Sequence, residues 1–312
     1  MTPQSGRTHI RLRDHGSVAC EPRWATPRTR RRTLGPQVTA AAKQIGLDLL
    51  PWQRLVLNAA LEQARGRPAY RDVLVSVPRQ SGKSTLLLAL ILWQMAERPG
   101  SRILYGAQTR VAARQKMLEG WWPRLAGSPL AGDVKLFRGF GNETISHVNG
   151  SVLGLLSANE SAGHGETTDL VLVDESWVHV DSRVEQAVRP TMATRKDAQL
   201  WAVSTAGTWR STWWKAKLSA GRAAAEMGVA DGMACFEWSA TDTANPADEE
   251  TWRACMPALG HLVDVRTVRA DLANMGVAEF KRAYLNIWPD PSGEGWQVFE
   301  RQAWERARGA DF

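Results

Sequence analysis

From Asp72 to Ser84 the chain reads DVLVSVPRQSGKS, an apolar run followed by a short polar loop. Residues 72–77 have the β-branched composition of a buried strand, and residues 84–96 have the apolar spacing of a helix. In the order strand, loop, helix, a loop that ends in glycine and lysine can present backbone N–H groups to a phosphate. The stretch therefore predicts a phosphate-binding loop in an α/β fold.

The loop departs from the common pattern GxxxxGK[ST] at one position, because Val77 stands where the first glycine is usual. Backbone N–H groups can still point at a β-phosphate, Lys83 can reach the β and γ oxygens, and Ser84 can ligate Mg²⁺. The alternative is an ordinary strand-to-helix turn. We predict that ATP and Mg²⁺ are bound here, by Gln80, Ser81, Gly82, Lys83, Ser84 and Thr85.

A second signal is the apolar run 170–173, which ends in two acids, Asp174 and Glu175. At the carboxyl end of a buried strand, Asp174 would hold Mg²⁺ through water and Glu175 would act as the general base for an attacking water. The alternative is an exposed acidic turn. The long separation from Lys83 leaves room for at least one strand between the two motifs, which favours the additional-strand class of P-loop NTPases.

A third signal, Ser204-Thr205-Ala206-Gly207, directly follows the apolar strand residues 200–203. Hydroxyl residues at the carboxyl end of such a strand lie beside the neighbouring phosphate site, so Ser204 and Thr205 are candidate nucleotide contacts. The alternative is a tight turn that requires Gly207.

The rest of the pattern supports an α/β architecture. A helix is predicted at 52–61, with Pro51 at its start, and strands are predicted at 102–107, 144–148 and 233–238. Residues 248–286 have helical character. Because the apolar strands must be covered on both faces, we predict a mostly parallel sheet of the additional-strand P-loop NTPase type with helices on both faces, over residues 37–290.

The net charge of +7 is concentrated near the N-terminus, since residues 1–33 hold eight arginines and two acidic residues. Residues 1–36 are predicted to be a flexible basic arm, which either grips DNA phosphates or is a solvated tail. Three widely spaced cysteines indicate neither a disulfide framework nor a metal cluster. With no apolar run of membrane-spanning length and no secretory leader pattern, we expect a soluble, cytoplasmic protein without a membrane partner.

As an ordered set, these motifs resemble the ATPase motor domain of the large terminase subunit of tailed bacteriophages. The resemblance covers roughly residues 45–305. It rests on 50–54, 78–84, 173–175, 204–207 and 280–288. It implies that Gln53 reads adenine and that Arg79 contacts phosphate and assists catalysis.

The resemblance also implies a function: an ATP-hydrolysing motor that moves viral genomic DNA into proheads. Its partners would be double-stranded DNA, a portal protein, a small terminase subunit and further copies of itself in a homo-oligomeric ring, in the cytoplasm of an infected bacterium. A neighbouring subunit would supply an arginine, for which the candidates are Arg138, Arg189, Arg195 and Arg210. His164, before the acidic pair, is interpreted as structural.

One family feature is missing, because no strand-plus-carboxylate series of a nuclease follows Trp304. Residues 291–312 are interpreted as the start of a linker toward such a domain, in a chain either cut from a longer protein or naturally truncated. We expect no DNA cleavage from this chain. Two other functions stay open: a helicase-like ATPase, and a P-loop module that binds DNA or a portal without hydrolysing ATP.

Overall fold

The computed structural model describes residues 20–29, 31–139, 141–156, 167–229 and 232–289. The strands are β1 Trp24–Ala25, β2 Gln63–Ala64, β3 Arg67–Pro68, β4 Asp72–Ser76, β5 Arg102–Gly106, β6 Val134–Phe137, β7 Thr144–His147, β8 Val152–Leu155, β9 Leu170–Asp174, β10 Gln199–Ser204 and β11 Met233–Glu237. The α-helices are α1 Gly35–Gln44, α2 Pro51–Ala60, α3 Lys83–Glu97, α4 Arg110–Gln115, α5 Trp122–Ala126, α6 Arg183–Met192, α7 Thr212–Met227, α8 Glu249–Cys255, α9 Val265–Asn274 and α10 Val277–Tyr284. A π-helical segment, Lys116–Trp121, joins α4 to α5, and a 3₁₀ turn spans Ser176–Val178.

Within the described residues, nine strands form one sheet in the order β1-β11-β4-β10-β9-β5-β8-β7-β6. The six strands from β11 to β8 are parallel to one another, whereas β1, β7 and β6 pair antiparallel to their neighbours. Strand β10 lies between β4, which leads into the predicted phosphate loop, and β9, which ends in the acidic pair. The predicted fold class is confirmed. The chain between the two motifs contains the predicted additional strand, since β5 to β8 all lie there.

The central strands are buried on both faces, and their side chains alternate between two cores. On one face Val73, Val75 and Leu172 join the core formed with α1, α2 and α3. On the other face Leu74 and Val171 join the core formed with α6 and α7. Helices thus cover both faces, as the apolar composition of β4 and β9 predicts.

A smaller apolar cluster lies beyond β11, where the sequence predicts helical structure. Helices α8, α9 and α10 enclose Trp252, Val268 and Phe280 in this cluster. The rings of Phe280 and Tyr284 stack with their centroids 4.9 Å apart. The prediction for residues 248–286 is confirmed as three short helices rather than one long one.

The predicted flexible arm is wrong for the part that the structure describes, 20–29 and 31–36. Strand β1 pairs antiparallel with β11, and the guanidinium groups of Arg23 and Arg222 pack on the Trp24 ring, 4.1 and 4.5 Å from its centroid. Cys20 is buried and its thiol donates to the Ala254 carbonyl. Cation–π contacts and edge pairing dock this segment despite its polar composition.

Residues 1–19, His164 and residues 291–312 lie outside the described residues, as does Arg30. Strands β6 and β8 are not predicted from the sequence, and Gly154 interrupts the β-rich pattern of the second. No helix in the described ranges combines the length and the apolar character that crossing a membrane requires.

Candidate functional site at the carboxyl edge of the sheet

The predicted phosphate loop joins β4 to α3 at the carboxyl edge of the sheet. Two of its residues have left-handed backbone, Gln80 with φ 58° and Gly82 with φ 88°, and Gly82 is the N-cap of α3. Val77 is fully buried and its N–H donates to the Ser204 carbonyl over 3.0 Å, so it continues the pairing of β4 with β10. Its backbone does not need positive φ, and the missing first glycine is therefore compatible with this loop.

Lys83 opens α3 and points back under the loop, where its Nζ lies 3.4 Å from the Pro78 carbonyl oxygen. The side chain is buried, and this burial lowers the pKa of Lys83 while the charges of Glu175 and Asp174 oppose the shift. The ammonium therefore lies beneath the loop, within the influence of the acidic pair, and its contact with phosphate stays a prediction.

The acidic pair lies at the end of β9, beside the loop. Asp174 is 4% exposed, accepts a hydrogen bond from the Tyr105 hydroxyl at 3.2 Å, and accepts another from the Glu175 N–H at 3.0 Å. Burial raises the pKa of Asp174, as does the charge of Glu175, whereas Lys83 and Lys116 lower it. The pair is thus partly buried among lysines, which argues against the exposed acidic turn.

Glu175 has left-handed backbone, φ 51°, which turns its side chain sharply away from the direction of β9. The Trp177 indole N–H donates to its Oε2 at 2.8 Å, and the Trp177 backbone N–H donates to the Ser204 hydroxyl at 3.0 Å. Through Trp177 the acidic pair is therefore joined to the end of β10.

Sequence reasoning missed one charged residue at this site, Lys116. Its Nζ donates to the Ser84 hydroxyl over 2.8 Å, from the π-helical segment Lys116–Trp121. At the other end of this segment, the Trp121 ring packs 4.5 Å from the ring of Tyr105, the residue that donates to Asp174. A lysine in a helical stretch carries no distinguishing signal, so no pattern in the sequence indicated it.

These donors suit a magnesium ion that also has phosphate ligands. The Ser84 hydroxyl and the Asp174 carboxylate are hard oxygen donors, and the first already binds a cationic group, the Lys116 ammonium. Among the described residues no group of three or more His, Cys, Asp and Glu side chains is placed to hold a metal by itself. Few protein ligands are typical of Mg²⁺ sites that share the ion with a nucleotide.

The predicted adenine-binding residue Gln53 lies on α2, directly against the phosphate loop. Its Nε2 donates to the Gly82 carbonyl at 2.8 Å, its Oε1 accepts from the Leu50 N–H at 2.6 Å, and it is 1% exposed. Trp52 supports the same loop, because its indole N–H donates to the Ser81 carbonyl at 3.0 Å. Gln53 therefore braces the loop in this structure, and its contact with adenine stays a prediction.

Arg79 ties the loop to α10. Its backbone N–H donates to the Ala283 carbonyl at 2.8 Å, and its guanidinium forms an ion pair with Glu279 at 3.0 Å. Arg282 binds the same carboxylate at 2.8 Å. The predicted contact of Arg79 with phosphate would require it to share or leave Glu279.

The segment Ser204–Gly207 is buried and also connects to the end of α10. The Thr205 hydroxyl donates to Asn286 Oδ1 at 3.2 Å, and the Asn286 Nδ2 donates to Ser76 Oγ and to the Trp238 carbonyl at 2.9 and 2.7 Å. A Cβ on Gly207 would approach Ser211 Oγ to 2.3 Å, so the turn requires glycine there. The interpretation as a tight turn therefore has a structural basis, and the contact of Ser204 and Thr205 with nucleotide stays a prediction.

The four candidate trans-acting arginines differ in their surroundings. Arg189 pairs with Asp72 at 2.6 Å and with Glu185 at 2.7 Å, and Arg195 lies 3.6 Å from Asp169, near the amino ends of the strands. Arg210 is exposed and follows β10 at the same edge as the phosphate loop, and the exposed Arg138 follows β6. That one of these four arginines acts in the site of a neighbouring subunit stays a prediction.

The site can now be compared with known proteins. A family model described as terminase large subunit, T4likevirus-type, N-terminal, matches residues 74–302. A search of curated proteins found no match. Among solved structures, the chain is similar to the large terminase of bacteriophage HK97, with 19% identity and a TM-score of 0.71 over 82% of this chain and 56% of that one.

Two further structures are similar in fold. The ATPase domain of the large terminase of Thermus phage P74-26 shows 16% identity and a TM-score of 0.53, over 82% of this chain and 99% of that one. A large terminase from another thermophilic bacteriophage shows 13% identity and a TM-score of 0.53, over 82% of this chain and 57% of that one. The chain thus spans little more than half of this last protein and of the HK97 terminase. Because the family model covers most of the sequence, the chain belongs to the family of T4likevirus-type terminase large subunits, in its N-terminal part.

Proposed function

We propose that this chain is a magnesium-dependent ATPase that drives the movement of viral genomic DNA into proheads. The observation that carries the proposal is the convergence of the predicted phosphate loop and the acidic pair beside β10, with Lys83 buried near Asp174 and Glu175. A buried lysine and two acids beside a helix N-terminus form the charge arrangement that phosphoryl transfer requires.

Each residue has a distinct role in this proposal. Lys83 and the backbone N–H groups from Gln80 to Ser84 bind the phosphate oxygens, and Arg79 adds a further positive charge. Glu175, held by the Trp177 indole, accepts the proton of the attacking water. Ser84 and Asp174 would hold Mg²⁺, which neutralises negative charge on the phosphates.

The hydrogen bonds of Asn286 suggest how the site is linked to the rest of the molecule. Asn286 joins Ser76 at the end of β4, Thr205 after β10 and Trp238 after β11. A displacement of the loop or of Thr205 would therefore move Asn286 and with it the end of α10. We propose that this connection transmits the nucleotide state toward the parts that contact double-stranded DNA.

The partners are proposed at the level of the family. As a terminase large subunit the chain would act in a homo-oligomeric ring, with a portal protein and a small terminase subunit, on double-stranded DNA in the host cytoplasm. The helicase-like alternative would need a second lobe of similar size. The non-hydrolysing alternative does not explain a glutamate that is oriented by an indole beside a buried lysine.

The test is steady-state ATP hydrolysis by the wild type, Lys83→Ala and Glu175→Gln. We expect Lys83→Ala to lose productive nucleotide binding. Glu175→Gln should bind ATP but turn it over about 10²–10⁴-fold more slowly, because the amide keeps the hydrogen bond from Trp177 without accepting a proton.

Matched controls are Lys135→Ala and Glu97→Gln, which alter exposed residues away from the loop. Both should hydrolyse ATP at the rate of the wild type. Unchanged turnover in Lys83→Ala or in Glu175→Gln would contradict the assignment of the site.

A further inference from the structure

The π-helical segment Lys116–Trp121 contacts the proposed site at both of its ends. π-Helical turns are rare and are found frequently at functional positions. At its first residue, the Lys116 ammonium donates to the Ser84 hydroxyl over 2.8 Å. At its last residue, the Trp121 ring packs on Tyr105 with a centroid distance of 4.5 Å, and the Tyr105 hydroxyl donates to Asp174. The segment thus contacts one proposed magnesium ligand, Ser84, and packs on the tyrosine that is hydrogen-bonded to the other, Asp174.

The charge of Lys116 lies at one of the proposed magnesium ligands. Its ammonium is hydrogen-bonded to the Ser84 hydroxyl, the oxygen that would bind the metal. A divalent cation bound to this oxygen would meet strong electrostatic repulsion from the ammonium, because screening by water is weak in a protein interior.

We propose that Lys116 competes with Mg²⁺ for the Ser84 hydroxyl, and that binding of the magnesium nucleotide displaces the segment Lys116–Trp121. This inference rests on the proposed function, since it assigns a regulatory residue to the same site. The π-helical turn provides the means, because its extra residue lets the segment change register within a helix that continues through α4 and α5. Lys116 thereby sets the magnesium concentration at which the site fills and links its filling to the position of Trp121.

The experiment is a titration of Mg²⁺ at a fixed, saturating concentration of a fluorescent ATP analogue, in the wild type and in Lys116→Met. Methionine keeps most of the aliphatic length of lysine and removes the charge. The half-saturating Mg²⁺ concentration should fall about three- to tenfold in the variant, because the competing charge is gone. Lys116→Gln should behave in the same way, which provides a second variant should one of them fold poorly.

The control is Lys135→Met, which removes an exposed lysine on β6 and should leave the half-saturating concentration unchanged. A second readout is backbone hydrogen exchange over residues 110–126 of the wild type. Exchange there should change on addition of Mg²⁺ with ADP, and not on addition of ADP with EDTA.

Two results would overturn the inference while leaving the proposed function intact. One is a half-saturating Mg²⁺ concentration that is unchanged or higher in Lys116→Met. The other is hydrogen exchange over residues 110–126 that does not respond to magnesium. A wild type that binds no nucleotide in the presence of Mg²⁺ would overturn the proposed function together with the inference.

Discussion

Two sets of charged side chains flank the central sheet, and their environments are opposite. The α6 charge cluster, Asp72, Glu185, Arg189 and Lys217, forms a network of short ion pairs of 2.6–2.7 Å. Burial alone would raise the pKa of Glu185, but hydrogen bonds from Lys217, Trp213 and Arg189 lower it to about 2. In this cluster the surroundings favour the charged forms, so its charges stabilise the fold.

The second set, which we call the loop charges, consists of Lys83, Lys116, Asp174 and Glu175. In this set the pKa shifts of Lys83 and Asp174 have the opposite sense. Burial lowers the pKa of Lys83 and raises the pKa of Asp174. For Lys83 and Asp174 the surroundings disfavour the charged forms, which is typical of groups arranged to bind or react rather than to stabilise. The comparison predicts that the α6 charge cluster matters for stability and the loop charges for activity.

The largest effect is expected for Asp174→Asn. Asparagine has nearly the same shape, its carbonyl oxygen can still accept from the Glu175 N–H, and its NH₂ group can donate to the Tyr105 hydroxyl oxygen in place of the bond that Asp174 accepts from it. We expect ATP turnover to fall by about 10²-fold or more, since the charged carboxylate proposed to bind Mg²⁺ is replaced by a neutral amide. The free energy of unfolding should be equal to that of the wild type or higher. Turnover and urea unfolding of the same preparation measure both, and a large loss of stability would remove the distinction between the two sets.

The converse variant is Glu185→Gln. It removes the carboxylate shared by Arg189 and Lys217, and we expect a loss of about 2–3 kcal/mol in the free energy of unfolding. Turnover per folded molecule should stay near that of the wild type, because Glu185 does not contact the loop. Glu97→Gln, an exposed control, should change neither quantity. A Glu185→Gln protein of normal stability but low activity would reverse the comparison.

A smaller effect concerns pH. The pKa of Glu185 lies below its ordinary value of 4.5 in the folded chain, so its contribution to stability is complete above pH 4.5 and is lost as the pH falls toward about 2. The difference in unfolding free energy between the wild type and Glu185→Gln should therefore shrink as the pH is lowered from 4.5. Denaturant titrations from neutral to strongly acidic pH measure this, and a difference that stays constant throughout would contradict the ion-pair account.

The loop charges were largely accessible from the sequence, whereas the contacts that hold them were not. The apolar strands before Asp174 and Ser204, and the Gly82-Lys83-Ser84 sequence, have local patterns that indicate a sheet edge and a phosphate loop. The ion pair of Arg79 with Glu279 joins residues far apart in the chain, and nothing local marks it. Lys116 was missed for a similar reason, because the π-helical turn that directs it to Ser84 depends on tertiary packing.

The N-terminal segment shows the opposite kind of error. Composition predicted a flexible arm through residue 36, since arginine, proline and threonine dominate it. In the structure Arg23 and Arg222 pack on the Trp24 ring, two residues pair with β11, and the buried Cys20 donates to the Ala254 carbonyl. Predictions from composition average over a window of many residues, and a two-residue strand such as β1 hardly changes that average.

The central claim is that the loop charges form a site for a magnesium nucleotide, and thermal unfolding with a non-hydrolysable ATP analogue and Mg²⁺ tests it most directly. At a ligand concentration of about 100 times Kd, the wild type should gain about 2.7 kcal/mol of stability, with a corresponding rise in Tm. Lys135→Ala should gain the same amount, and Lys83→Ala should gain almost none. An equal rise in Tm for Lys83→Ala and the wild type, or no rise in either, would contradict the account.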